Sequence, residues 1–290
     1  MSPSDGSRHR ILRRVTAPRL PDCASVGDLL DRIERYYDAV PRSGSHTEQI
    51  GPFTLFVSNG GWPYYARPTL GTAASFDLAA VERMRERQRE LGVPEALEWV
   101  DEIAPDLLAV VRQSGLSVHE CPLMVLREPM PMGDAKDVTV RILGADDPAL
   151  APATAVATVS FAAGGVDVGS DGTRERDARV AAMTESELER HRDRVRRGLT
   201  VTAVAEGQNG PLASGSHQPV NGVTEIVGVA TLPAARRRGL GAAITAALVA
   251  DAQQRGVDVI FLSAGSDAVA RIYERVGFRR IATACIAERA

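Results

Sequence analysis

The sequence predicts an α/β protein built from two related copies, and three observations predict it. Segments of helical period alternate with segments of strand period along most of the 290 residues. Asn209-Gly210 and Asn221-Gly222 each separate two β-type runs, a pairing that favours tight hairpins and so antiparallel strands. Shifting the chain by 162 residues lays Trp99 on Phe261, Gly115 on Gly277 and Leu116 on Phe278, without gaps across strand, helix and strand. A single match of this kind arises easily by chance. Charged helical patterns precede both stretches, however, and we read a duplicated fold.

Each element follows from its own residues. Residues 1–25 are polar and basic and read as a loose arm. Asp28–Tyr37 has apolar residues at helical spacing, and Phe53–Ser58 reads as a strand. Asp77 caps a charged helix to Leu91, which Gly92 and Pro94 stop. A strand (Ala96–Val100), a helix (Pro105–Ser114) and a strand (Leu116–Arg127) follow. The prolines and glycine of Glu128–Asp137 mark a linker, placed over 131–137, between a first domain (26–130) and a second (138–290). The second domain opens with a strand (Val138–Leu143) and a helix (Ala149–Ala162). Gly164–Asp177 reads as a polar loop with the composition of a mobile lid. Thr184-Glu-Ser-Glu187 opens a further helix with a capping signature. Three strands (Thr200–Ala205, Pro211–Gln218, Val223–Thr231), a helix (Leu240–Gln254), a strand (Val257–Ser263), a helix (Ser266–Val276) and a strand (Phe278–Ile286) complete the chain.

Composition narrows the function. A net charge of −3 argues against general binding to nucleic acid or anionic membranes, and no apolar run reaches membrane-spanning length. The N-terminus lacks the apolar core of a secretory signal. Cys23, Cys121 and Cys285 are far apart, without metal-ligand spacing, and suit a reducing compartment. We expect a cytoplasmic protein with no metal.

The most informative stretch is Thr224–Ala243, TEIVGVATLPAARRRGLGAA. A β-type run passes through a loop of three arginines and two glycines into an amphipathic helix. Such a junction presents free backbone N–H groups at the positive end of a helix dipole to an anion. The spacing is Arg236-x-x-Gly239-x-Gly241, with Glu225 eleven residues before Arg236. A nucleoside triphosphate loop would need Gly-Lys-Ser/Thr, and here Ala242-Ala243 follows Gly241; the dinucleotide fingerprint does not fit either.

This stretch resembles motif A of the GNAT superfamily of acyl-CoA-dependent N-acyltransferases, Gln/Arg-x-x-Gly-x-Gly/Ala. The resemblance continues at Ser266–Phe278 (SDAVARIYERVGF), where that family has a helix with a tyrosine followed by a Gly-Phe step into a strand. The outline is similar to tandem-GNAT proteins, with the first copy degenerate because no Arg-x-x-Gly-x-Gly precedes its helix. The resemblance implies two copies, each a mixed, mostly antiparallel sheet flanked by helices. It further implies that Val229, Ala230 and Thr231 pair with the pantetheine arm of acetyl-CoA and supply an oxyanion donor. The amides of Arg237, Arg238, Gly239, Leu240, Gly241 and Ala242 would hold the pyrophosphate, with a side chain from Arg236, Arg237 or Arg238 reaching it. Tyr273 would protonate the departing thiolate. Ser266 stands where an asparagine is common, so its hydroxyl would have to take over a contact to pantetheine.

Glu225 is the candidate general base for an amine acceptor. Alternation puts Glu225, Val227 and Val229 on one strand face, where apolar neighbours would raise its pKa. A surface glutamate fits the spacing equally well. His217 is read as incidental and Cys285 as a buried structural thiol. Gly60-Gly-Trp-Pro-Tyr-Tyr65 is read as packing between the copies, with a wall of the acceptor pocket as the other reading. The function expected is N-acetyl transfer in a ternary complex, by a monomer or homodimer. A non-catalytic CoA-binding or sensing protein, a purely structural tandem module and a mycothiol-like thiol-pathway acyltransferase are the alternatives.

Overall fold

The Ser25 hydroxyl oxygen accepts from the Asp28 N–H while the Asp28 carboxylate accepts from the Ser25 N–H, a reciprocal cap that opens α1 (Val26–Ala39). The computed structural model describes residues 25–60, 64–72, 75–129 and 137–289. The expected arm up to residue 24, Cys23 with it, the linker over 131–136 and the centre of the aromatic loop, 61–63, lie outside them.

After α1 come β1 (Ser45–Ile50), β2 (Phe53–Ser58), β3 (Ala66–Pro68), α2 (Leu78–Glu90), β4 (Ala96–Val100), α3 (Leu107–Gln113) and β5 (Ser117–Leu126). The second half runs β6 (Thr139–Ile142), α4 (Leu150–Ala162), α5 (Thr173–Ala181), α6 (Glu185–Arg196), β7 (Val201–Gly207), β8 (Gly210–Val220), β9 (Val223–Thr231), α7 (Leu240–Gln254), β10 (Val259–Ser263), α8 (Asp267–Glu274) and β11 (Phe278–Glu288). Asp77 and Thr184 cap α2 and α6, accepting from the N–H groups of Ala80 and Glu187.

Among the described residues the strands form one sheet in the order β1-β2-β3-β4-β11-β5-β10-β9-β8-β7-β6. All neighbours are antiparallel except β3 with β4 and β9 with β10, which occupy equivalent places in the two halves. The last strands are exchanged. β11 lies between β4 and β5, and β5 lies between β11 and β10. The offset of 162 residues carries Cys121 onto Thr283 and Pro122 onto Ala284, and across β5 and β11 Cys121 pairs with Ala284 and Pro122 with Thr283. An approximate twofold therefore passes between these strands, and each half closes its sheet on the last strand of the other.

Four apolar clusters among the described residues hold the sheet, the smallest packing α4 on β7 around Leu150, Ala153 and Val204. One packs α2 and α3 on the first half around Trp99, Leu97, Met84 and Leu107, and a second packs α7 on the second half around Ile244, Leu248, Ile260 and Phe278. In the third, α1 lays Leu29, Ile33, Tyr36 and Tyr37 across Val125, Val223, Val259 and Phe261. A first-half helix thus covers β9 and β10 of the second half. No helix among the described residues is long and apolar enough to cross a membrane.

Three elements depart from the sequence reading. β1, SHTEQI, is an edge strand whose side chains are mostly outside the core, so it lacks apolar alternation. β3 is three residues long. The segment read as a loop to Asp177 turns helical at Thr173, because α5 is anchored by charge: the buried Arg176 donates to the carbonyls of Pro211 (2.6 Å) and Asn209 (2.8 Å).

Candidate functional site

The parallel strands β9 and β10 pair only at Val223–Val259, Thr224–Ile260 and Glu225–Phe261. Beyond Glu225, β9 runs on to Thr231 with no registered partner on that side, which leaves a strand edge open to hydrogen bonding from another extended chain. Val229, Ala230 and Thr231 lie on this edge. On the other side β9 stays paired to β8, through a bulge that sets Gly228 and Val229 against Gly215, with Gly228 at φ +62°. The bulge resets the alternation. Glu225 meets α1 through Tyr37, and alternation puts Val227 on the same side of the sheet, whereas Val229 faces α7, beside the Cβ positions that Gly215 and Gly241 lack. The expected common face for Glu225, Val227 and Val229 therefore ends at Gly228. A Cβ on Gly215 would stand 2.8 Å from Ile244 and 3.1 Å from Val229, so glycine there lets α7 close on the sheet.

The turn from β9 to α7 needs left-handed backbone at Arg237 (φ +68°) and Gly239 (φ +77°). Gly239 is the N-cap of α7 and has no side chain to accept the first helical N–H groups; the ladder begins with Ala243 donating to the Gly239 carbonyl. The N–H groups of Leu240, Gly241 and Ala242 thus have no intrahelical acceptor. The three arginines differ. The Arg236 guanidinium is spent on carbonyls, those of Ser160 (3.1 Å), Gly164 (3.0 Å), Asp167 (2.9 Å) and Thr231 (3.3 Å). Arg237 and Arg238 are exposed at the mouth of the turn. The loop after α4, expected as a lid, is also tied to this turn through Gly169 N–H to Pro233 O and Ala234 N–H to Asp171 O.

Glu225 sits on the α1 side at the point of divergence. The Tyr37 hydroxyl lies 3.4 Å from its Oε1 and 3.3 Å from Ser263 Oγ, and its backbone N–H donates to the Tyr36 hydroxyl, which donates on to the Gln218 carbonyl. Burial and then the like charge of Glu98 raise the Glu225 pKa to about 8, against the opposing pull of Arg67 and the hydrogen bonds from Tyr37 and Ser263. Glu98, on β4, is itself raised to about 7 by burial. Arg67, on β3, is buried, pairs with Glu34 at 3.0 Å and approaches Glu98 at 3.8 Å, and its guanidinium stacks 4.1 Å from the Tyr37 ring. Sequence reasoning missed this set. The available signal was charged residues inside otherwise apolar strands, Arg67 in ARP and Glu98 in ALEWV.

Tyr273 lies on α8, which packs with α7, and so approaches from the face opposite Glu225. Its ring meets Phe278 edge-on at 6.1 Å, and burial raises its hydroxyl to a pKa of about 12. That hydroxyl has no hydrogen-bond partner among the described residues. Ser266 caps α8, its Oγ accepting from the Val269 N–H at 3.3 Å. His217 is fully buried on the α7 face, held by Thr224 (3.0 Å) and Asp251 (2.9 Å), with burial lowering its pKa. Both ring nitrogens are in use, away from Glu225. Cys285 is buried in β11, its thiol pushed to about 12 by burial.

Residues 173–278 match the model of the Acetyltransferase (GNAT) family. Among curated proteins, none matches the chain. Among solved structures, a GCN5-related N-acetyltransferase from Kribbella flavida is similar at 21% identity and TM-score 0.61, over 90% of this chain and 95% of its own. A tandem GNAT protein from the clavulanic acid biosynthesis pathway is similar at 13% identity and TM-score 0.54, over 93% and 96%. A GCN5-related N-acetyltransferase from Sphaerobacter thermophilus is similar at 17% identity and TM-score 0.51, over 89% and 84%. At these identities the likeness is one of fold.

Proposed function

We propose, from the premise that residues 173–278 form a GNAT acetyltransferase domain, that the protein transfers the acetyl group of acetyl-CoA to an amine by direct attack in a ternary complex. The observation that carries this reading is the coincidence of three features. β9 and β10 part at Glu225, the freed edge of β9 leads into the turn, and the turn ends on a glycine-capped helix start. An extended pantetheine arm has the hydrogen-bonding pattern of a strand and suits that edge at Val229, Ala230 and Thr231. The amides of Arg237 to Ala242 suit a pyrophosphate, with Arg237 and Arg238 as exposed counter-charges. The Arg236 side chain holds the turn in shape.

Glu225 takes the proton of the incoming ammonium, directly or through water. A carboxylate with a pKa near 8 is a stronger base than an ordinary glutamate and matches an amine better. Attack on the thioester carbonyl places negative charge on its oxygen, which an N–H of the β9 edge stabilises. As the C–S bond breaks, the Tyr273 hydroxyl protonates the thiolate from the opposite face. Ser266 acts first as the cap of α8, leaving its O–H free to donate to the pantetheine arm.

Thermal shift with acetyl-CoA, followed by thiol release across a panel of primary amines, tests the proposal. Stabilisation by acetyl-CoA and amine-dependent thiol release are expected. Glu225→Gln and Tyr273→Phe should each lose turnover while keeping the stabilisation. No shift with acetyl-CoA, or full turnover in both variants, refutes it.

A further inference from the structure

We infer that the first half of the chain supplies the positioning residue for the proposed base: Tyr37 on α1 holds the Glu225 carboxylate, with Arg67 and Glu98 bearing on that pair from behind. The catalytic meaning of this inference rests on Glu225 being the base; the coupling itself does not.

The contacts run across the whole chain. α1 precedes every strand of the sheet, yet it is laid over β9 and β10, where Tyr36 and Tyr37 each pack edge-on against Phe261 at ring distances of 5.1 and 5.4 Å. Phe261 is the partner of Glu225 in the last registered pair before the strands part. The two tyrosines therefore stand over the point of divergence. Tyr36 fixes the backbone there, bridging the Glu225 N–H and the Gln218 carbonyl. Tyr37 reaches the side chain, and through Ser263 it also reaches the diverging strand β10. A carboxylate on a strand edge next to a gap has no inherent reason to keep one rotamer. A buried hydroxyl anchored to both strands provides one.

Tyr37 is itself fixed from the first half. The Arg67 guanidinium covers its ring, and Arg67 is held by Glu34 of α1 and neighbours Glu98 of β4. The charged and titratable groups acting on this region are thus Glu34, Tyr36 and Tyr37 from α1, Tyr65 and Arg67 at β3, Glu98 from β4 and, acting on Tyr36, Arg194 from α6. Their effects on Glu225 have opposite signs. The Tyr37 hydrogen bond and Arg67 favour the carboxylate, while Glu98 disfavours it. A half without a phosphate turn thus has a part in the site: it supplies α1, which lies over β9 and β10, and the Arg67 and Glu98 side chains of β3 and β4 that bear on the Tyr37–Glu225 pair.

The test needs no acceptor. In the full-length protein labelled with [δ-13C]glutamate, the carboxyl resonance missing from Glu225→Gln is followed by NMR against pH. A midpoint near 8 is expected in the unmodified chain. Tyr37→Phe keeps the ring and its packing but removes the hydroxyl, and should move the midpoint up by about one unit. Glu98→Gln should move it down by about one unit. Opposite displacements by two first-half residues support the coupling. An unmoved midpoint in both variants, even with lowered thermal stability, overturns it and reduces Tyr37 to packing. If the midpoints move but Glu225→Gln retains turnover, the base assignment falls while the coupling stands.

Discussion

Glu225 of β9 and Phe261 of β10 are the last registered pair between two parallel strands that then diverge. Everything proposed for this site depends on that position. It puts a desolvated carboxylate at the apex of a gap whose one wall is an open strand edge leading directly into a helix start without a side-chain cap. The same pair lies under the two tyrosines of α1, so both halves of the chain meet at it.

The pH dependence of turnover follows from the raised Glu225 pKa. As a base, Glu225 works only when ionised, so kcat/KM should rise roughly tenfold per pH unit at acid pH and level off above a pH near 8. Glu98 ionises with a midpoint near 7 and pushes Glu225 up as it does so, which broadens the limb. Steady-state thiol release across pH checks this. In Glu225→Gln the limb should vanish along with most of the rate.

The same shift has a consequence for stability. The folded-state pKa of Glu225 lies above the unfolded value, so the folded protein holds the extra proton between about 4.5 and 8 and loses stability as pH rises through that window. Glu225→Gln removes this cost. Its melting temperature should match the unmodified protein at acid pH and exceed it at alkaline pH, by an amount reflecting a few kcal/mol at most. Scanning calorimetry at both pH extremes decides it, and an unchanged or lower alkaline melting point contradicts the burial argument.

Tyr273→Phe separates chemistry from packing. The hydroxyl has no partner among the described residues and the ring lies against Phe278, so the substitution should leave the melting temperature nearly unchanged. Turnover should fall by about two orders of magnitude, with acetyl-CoA affinity retained. A parallel loss of stability would mean that the hydroxyl has a structural partner instead.

The arginine triplet should divide. Arg236→Ala leaves the carbonyls of Ser160, Gly164, Asp167 and Thr231 without their shared donor, and should lower stability by about 2–4 kcal/mol. Arg237→Ala and Arg238→Ala touch exposed side chains and should leave stability alone, weakening acetyl-CoA binding only modestly and less so at high salt. Urea unfolding and acetyl-CoA titration at two ionic strengths check the division.

Much of the fold was legible because regular elements carry local signals. Asp77 and Thr184 cap the helices their sequence marks, and both Asn-Gly pairs sit at hairpin turns between β7, β8 and β9. The offset of 162 residues reappears as pairing across β5 and β11. What was illegible is what depends on distant partners. α5 is anchored by a buried arginine rather than an apolar stripe, and β1 is a polar edge strand. The bulge at Gly228 changes the face of Val229 through one backbone angle, which alternation cannot foresee. The environment of Glu225 comes largely from residues of α1, β3 and β4 in the first half, beyond the reach of any motif spacing.

Titration of acetyl-CoA into the unmodified protein and into Gly241→Asp tests the central claim most directly. A Cβ at Gly241 would meet Val229 at 3.8 Å and Thr231 at 3.9 Å, ordinary contacts that the fold accommodates. An acidic side chain in the first turn of α7 favours the helix dipole, so folding stability should hold or rise slightly. The same carboxylate occupies and repels the proposed pyrophosphate position, so binding should weaken by at least about a hundredfold relative to clear binding by the unmodified chain. Equal affinity in the two proteins, or no binding by the unmodified one, contradicts an acyl-CoA site at the start of α7.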